Sequence, residues 1–229
     1  MQALDLLSNN LANSSTSGYK LDREFYSLYS ADDIGADGEQ TELPFVKSKW
    51  TDFSQGTLTP TGSPLDLALT GPGFFVADGP SGPLYTRNGS FHLSAAGQLT
   101  TEEGYPVEGS NGTINISSQS PVDIAADGTV TQDGNAVGQL KIVNFPDTTI
   151  LQKTSGSFFV NSQPKIKPAA STATVTQGRL EQSNVAPAES AVQLVGVMRQ
   201  FEMLQKAITL STDMNKQAIQ EVARVGGGQ

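Results

Sequence analysis

Both ends of this chain repeat apolar residues with a helical period, and the stretch between them alternates with the period of a β-strand. Near the C-terminus Leu194, Val197, Phe201, Leu204 and Ile208 recur at spacings of three and four, which gathers them on one face of a helix. A second row, Met203, Ala207, Leu210 and Met214, follows it and reads as a widening of that face. Pro187 suits a first turn, Glu189 suits the positive N-terminal end, and Gly226-Gly227-Gly228 supplies the stop. The helix predicted over 187–225 would exceed ~50 Å at about 1.5 Å per residue, longer than most globular domains need. At the other end Leu4, Leu7 and Leu11 share the spacing, with Gly18 as a natural stop, and predict a helix over 1–13. It begins at Met1 without a capping residue, so a helix shortened at its start is expected. A chain with helical ends and a β middle can pair its ends and carry the middle outboard. Spacing alone leaves a second arrangement open, in which the C-terminal helix packs on its own sheet.

The middle divides by pattern. Residues 19–63 form a connector, with Asp32–Glu42 a solvated acidic loop and extended segments expected at Thr41–Val46 and Trp50–Leu58. Residues 64–168 are predicted as a central β domain. Leu65–Leu69 alternates, and Gly73-Phe74-Phe75-Val76 reads as a buried strand. Leu84–Arg87 and Ser90–Leu93 flank Asn88-Gly89, the signature of a hairpin closed by a type I′ turn. Asp127-Gly128 and Asp133-Gly134 mark a further hairpin, and Val137–Phe145 is the longest strand candidate. Residues 169–186, small and polar, read as a linker, and 1–18 and 187–225 as the helical ends. The fold class expected is mainly β: a barrel- or sandwich-like central domain with terminal α-helices paired in the manner of a coiled coil.

Composition narrows the function. The 229 residues carry 23 acidic and 14 basic side chains, a formal charge of −9, which argues against a nucleic-acid partner. Cysteine is absent and His92 is the sole histidine, so disulfides, thiolate metal sites and most histidine-based catalysis are excluded. No run approaches the roughly 18 apolar residues of a membrane span, and no secretory signal pattern is present. Asp127–Gly134 glances at a calcium loop but lacks its third, fifth and sixth residues and the closing Glu. Asp66, Asp78, Glu102 and Glu103 could supply paired carboxylates for glycan hydrolysis, yet acidic residues beside turns are ordinary. No metal, cofactor or catalytic constellation emerges.

Ser8-Asn9-Asn10-Leu11-Ala12-Asn13 followed by Gly18-Tyr19-Lys20 resembles the N-terminal signature of flagellar rod and hook proteins. Leu65–Leu69, Gly71–Val76 and Tyr85–Phe91 resemble the central part of the FlgF/FlgG type of rod protein. Leu180–Val185, running into Arg199-Gln200-Phe201-Glu202-Met203, resembles the C-terminal part of that family. The resemblance spans nearly the whole chain in order. It implies a non-enzymatic subunit of the flagellar basal-body rod, without cofactors, passed through the flagellar type III export apparatus without a cleavable signal. Its partners would be further copies of itself and other rod proteins, with no membrane insertion. The terminal helices would stack helically into a torque-transmitting axle around an export channel. Leu4, Leu7, Leu11, Leu194, Val197, Phe201, Leu204 and Ile208 would form the subunit interface, with Asn9, Asn10 and Asn13 setting register or capping the helix. A short region between Ser30 and Trp50 leans toward FlgF over FlgG. The competing class is a β-rich carbohydrate-binding module or glycan-active enzyme.

Overall fold

The computed structural model describes residues 2–30, 42–117 and 120–226, and their side chains over 4–23, 50–117 and 120–217. The loop expected at Asp32–Glu42 lies almost wholly outside the described residues, as do Gly227 and Gly228. The chain separates into two compact units, one made of Met1–Leu11 with Ala186–Gln229 and the other of Ala12–Val185.

The larger unit is built on a six-stranded antiparallel sheet. Its strand order is Leu151–Lys153, Phe158–Asn161, Gly82–Thr86, Phe74–Gly79, Ile142–Asn144 and Ala169–Ala170. The continuous apolar run Phe74-Phe75-Val76-Ala77 sits in this sheet and is buried on both sides. Successive side chains of a strand point to opposite faces, so a strand covered on both faces needs no polar alternation. Phe74 and Val76 join Tyr85, Val143, Phe145 and Phe159 in one core, against which Phe53 packs. Phe75 joins Leu67, Leu69, Phe91, Leu99, Val130 and Leu140 in a second core on the other face. The first core is held by rings that meet edge-on, with centroids 5.3 Å apart for Phe53–Phe74 and 4.8 Å for Tyr85–Phe145. The second is closed by a three-stranded sheet, Val122–Ile124, Thr129–Gln132 and Asn135–Gln139, and by shorter pairs. A long antiparallel hairpin, Leu21–Ser30 with Glu42–Asp52, occupies the first part of the unit.

Several expectations change. The Asn88-Gly89 hairpin does not form. Gly82–Thr86 pairs with Phe74–Gly79 and Phe158–Asn161, while Phe91–Leu93 pairs with Leu99–Thr101. The Asn88 carboxamide oxygen accepts the Ser90 amide at 3.1 Å, an Asx turn that turns the chain out of the first sheet. Gly89 lies against the backbone of Leu67, whose amide donates to the Gly89 carbonyl at 3.0 Å, and a Cβ there would overlap the Leu67 carbonyl. The glycine serves close approach, not a left-handed turn. Asp133-Gly134, by contrast, does close a two-residue hairpin, with φ of 51° and 77° as a type I′ turn requires. The run Val137–Phe145 splits between two sheets at Leu140–Lys141, where the amides donate to the carbonyls of Gly128 and Glu108. Residues 169–186 are not a slack linker either: Ala169–Ala170, Thr174–Gln177 and Arg179–Glu181 each pair with an earlier strand.

The smaller unit contains the predicted terminal helices, α1 (Gln2–Ala12) and α2 (Pro187–Gly226). At ~1.5 Å per residue α1 covers about 16 Å and α2 about 60 Å.

Gly89→Ala should lower the stability of the larger unit by about 2 kcal/mol or more, because backbone and not a flexible side chain occupies the space. Gly196, in α2 with open space around it, provides the contrast. Gly196→Ala should raise helix content by up to ~1 kcal/mol of propensity and leave β melting unchanged. Thermal unfolding followed by near- and far-ultraviolet circular dichroism separates the two.

Candidate assembly interface

The residues expected at a subunit interface fall into two groups along α2. Leu194 and Val197 are half-buried, as are Leu4, Leu7 and Leu11 on α1. Phe201, Leu204 and Ile208 are exposed, at 43%, 62% and 67%. Met203, Leu210 and Met214 are equally open to solvent. At about 100° per residue the Met203–Ala207–Leu210–Met214 row centres roughly 130° from the Leu194–Ile208 row, with Ala207 about 60° from Leu204, so it widens that face. The second half of α2 therefore presents a broad apolar sector, with polar residues such as Gln205, Lys206 and Asp213 on the other side of the helix. Solvent-facing apolar rows of this length mark a contact surface.

The asparagines divide as well. Asn9 is exposed and Asn10 buried. Asn13 lies just past α1, where its side-chain oxygen accepts the Thr16 hydroxyl at 3.2 Å and its carbonyl accepts the Thr16 amide at 3.1 Å. Asn13 thus closes the turn that ends the helix.

Sequence reasoning passed over the polar cluster that anchors the larger unit. Glu181, fully buried, receives the Lys20 ammonium at 2.5 Å and the Gly56 amide at 2.9 Å on one carboxylate oxygen, and Arg87 at 3.5 Å on the other. Lys20 also donates to the Ser54 carbonyl at 2.7 Å, and Arg87 to the Gly71 carbonyl at 2.8 Å while lying over the Phe74 ring. Gly56 comes so close to Gln182 that a Cβ would overlap its carbonyl. Five stretches far apart in sequence meet here. Burial pushes the Lys20 ammonium and the Arg87 guanidinium below their ordinary values, and Glu181 pulls both back toward the charged form. Beside the cluster Lys153 donates to Asp22 at 2.8 Å and to the Lys20 carbonyl at 2.6 Å, with its ammonium 3.9 Å from the Tyr19 ring centre. Burial lowers the Lys153 value, and burial with nearby Asp22 raises that of the Tyr19 phenol. The signal available in sequence was polar residues inside otherwise buried stretches: Lys20 beside Tyr19, Arg87 after Tyr85-Thr86, Glu181 beside Leu180.

The residues weighed for chemistry are placed without a site. His92, Asp78, Glu102 and Glu103 are exposed and Asp66 is half-buried. Clefts of about 760 and 710 Å3 are lined by Ser110, Lys141 and Thr172 in one case and Trp50, Thr149 and Gln152 in the other, and neither contains these residues. Asp127 accepts the Thr129 amide and hydroxyl in an Asx turn, which lowers its carboxyl below the usual range. Among the described residues no acidic or histidine group is arranged to hold a metal.

Residues 1–20 match the flagella basal body rod protein family, 68–132 the flagellar hook protein FlgE/F/G D1 domain, and 176–221 the C-terminal region of flagellar basal body rod FlgEFG proteins. The rod protein FlgG of Buchnera aphidicola (Schizaphis graminum) is 34% identical over 92% of this chain and 90% of its own. The chain belongs to the flagellar basal-body rod protein family. The rod protein FlgF of Salmonella typhimurium is likewise 34% identical, over 91% of this chain and 87% of its own length. FlgF of Caulobacter vibrioides is 29% identical over 97% of this chain and 92% of its own. FlgF and FlgG relatives thus stand at similar distances. As a rod-family member the protein is structural and not an enzyme.

Glu181→Gln should destabilise the larger unit by about 3–5 kcal/mol, since two buried cations lose their counter-charge. The triple change Lys20→Met, Arg87→Met, Glu181→Leu should recover most of that loss. Urea unfolding of the three proteins measures both effects.

Proposed function

We propose that this chain is a structural subunit of the flagellar basal-body rod that self-assembles helically through its terminal helices. The observation that carries the reading is the second half of α2, whose two apolar rows are open to solvent in the single chain. A rigid helix with an apolar sector wide enough to hold two rows can meet two neighbours at once, which suits a heterologous contact repeated without closure. The interface would comprise Leu4, Leu7 and Leu11 of α1 with Leu194, Val197, Phe201, Leu204 and Ile208 of α2. Exposed Asn9 and buried Asn10 would restrict register, as single polar residues do in apolar helical seams.

In the assembled rod the helical ends, 1–18 and 187–225, would form the inner layer around an export channel. The 64–168 β domain would face outward and stiffen each subunit against torque. Partners are further copies of this chain and neighbouring rod proteins, and delivery is through the flagellar type III export apparatus. The shorter region between Ser30 and Trp50 supports the FlgF type over FlgG.

Phe201→Asp with Leu204→Asp should abolish oligomer growth in light scattering and sharply reduce motility, with β-unit melting within ~2 °C of the parent. Met203→Asp with Leu210→Asp should do the same, because each row serves its own neighbour. Full motility in either double variant would overturn the reading.

A further inference from the structure

The last part of the larger unit, Thr174–Val185, is held almost entirely by distant residues. Thr174–Gln177 pairs with Leu67–Thr70, and Arg179–Glu181 with Leu58–Pro60. Between them Gly178 turns with φ of 73° and its amide donates to the Asp66 carbonyl at 2.8 Å. The Gln177 side chain accepts the Ile124 amide and donates to the carbonyls of Val122 and Pro64. Asn184 accepts the Leu21 amide and donates to the Asp52 carbonyl, each at 2.8 Å. Val175 and Val185 are buried, and Glu181 is the carboxylate shared by Lys20 and Arg87. The closest of these side-chain bonds in sequence still spans 53 positions. The segment contributes little to its own conformation. It lies in the unit as an extended peptide lies in a receptor.

We propose that Thr174–Val185 is a separable keystone, and that the rest of the larger unit is an acceptor site for it. The acceptor offers two strand edges, an apolar seat for Val175, and the paired Lys20 and Arg87 cations for one carboxylate. Its ligand class is an extended peptide with this apolar–glycine–carboxylate spacing, which is β-strand addition with a charge lock. The occupant is this chain's own segment and, when that is displaced, the same segment of a second copy. Until the keystone arrives the acceptor keeps two cations in an apolar setting without their counter-charge and two strand edges unpaired. Closure of the β unit therefore waits for residues that directly precede α2 in the chain. The inference rests on the larger unit alone, so it stands or falls independently of the rod reading.

The test uses the full-length Glu181→Gln chain, whose own keystone is weakened, and a synthetic peptide of residues 172–186. At about 1 mM the wild-type peptide should raise the melting temperature by ~5 °C or more, and a peptide carrying E181Q by under ~1 °C. If the variant is unfolded at room temperature, the same pair of peptides is compared for recovery of near-ultraviolet circular dichroism on dilution from urea. Adding Lys20→Met and Arg87→Met to the variant should reverse the preference, the E181Q peptide now binding at least ~10-fold more tightly, because the wild-type peptide would bury a carboxylate without its counter-charges. A Glu181→Gln chain as stable as the parent would overturn the proposal. So would two peptides of equal effect on the single variant, or neither peptide acting at all.

Discussion

The Glu181 carboxylate is the point on which the β unit depends. It is the counter-charge shared by Lys20 at the start of the unit and Arg87 just past a central strand, and it receives the Gly56 amide from the loop between them. A carboxylate with no solvent exposure is costly unless its charge and its lone pairs are satisfied, and here both are. The arrangement is demanding of geometry, because withdrawing Glu181 leaves two buried cations without their shared counter-charge. That is why a cluster of little net worth in stability can be decisive for which chain segments end up adjacent. The first and last residues of the unit are brought together there, with the Gly18 amide donating to the Glu181 carbonyl at 2.7 Å.

Around that anchor the unit is a two-core structure separated by one sheet. Phe74 and Phe75 are neighbours in sequence and belong to different cores. The aromatic cluster of Phe53, Phe74, Tyr85, Phe145 and Phe159 fills one side, and branched aliphatic residues with the edge-on Phe75–Phe91 pair fill the other. A sheet buried on both faces, with rigid rings packed against each, resists bending.

The helical unit contrasts with this at every level. It buries few of its apolar residues, and the rows along α2 grow more exposed beyond Val197. A helix in a protein draws most of its stability from packing of an apolar face, and the described part of α2 packs little of its own. The two units thus differ in kind: the β unit buries two cores within a single chain, whereas the described part of α2 leaves its apolar rows open to solvent.

Much of this was legible from the residues in order. The two helices follow from apolar spacing, with ends within two residues of expectation, and the family follows from motifs spread over the whole length. The Asp133-Gly134 turn and the Phe74–Val76 strand are also local, since turn chemistry and a short apolar run act within a few residues. Other features were decided in three dimensions. Asn88-Gly89 has the composition of a hairpin turn, but Leu67 occupies the space beside Gly89, and the strands on either side find other partners. Val137–Phe145 reads as one strand but crosses from one sheet to another where Gly128 and Glu108 capture its amides. Residues 169–186 look like a linker because small polar residues carry no periodic signal, and yet their backbone completes three separate pairings. Glu181, Lys20 and Arg87 lie up to 161 positions apart. No local pattern can announce such a meeting, because it exists only when the fold removes water from all three at once.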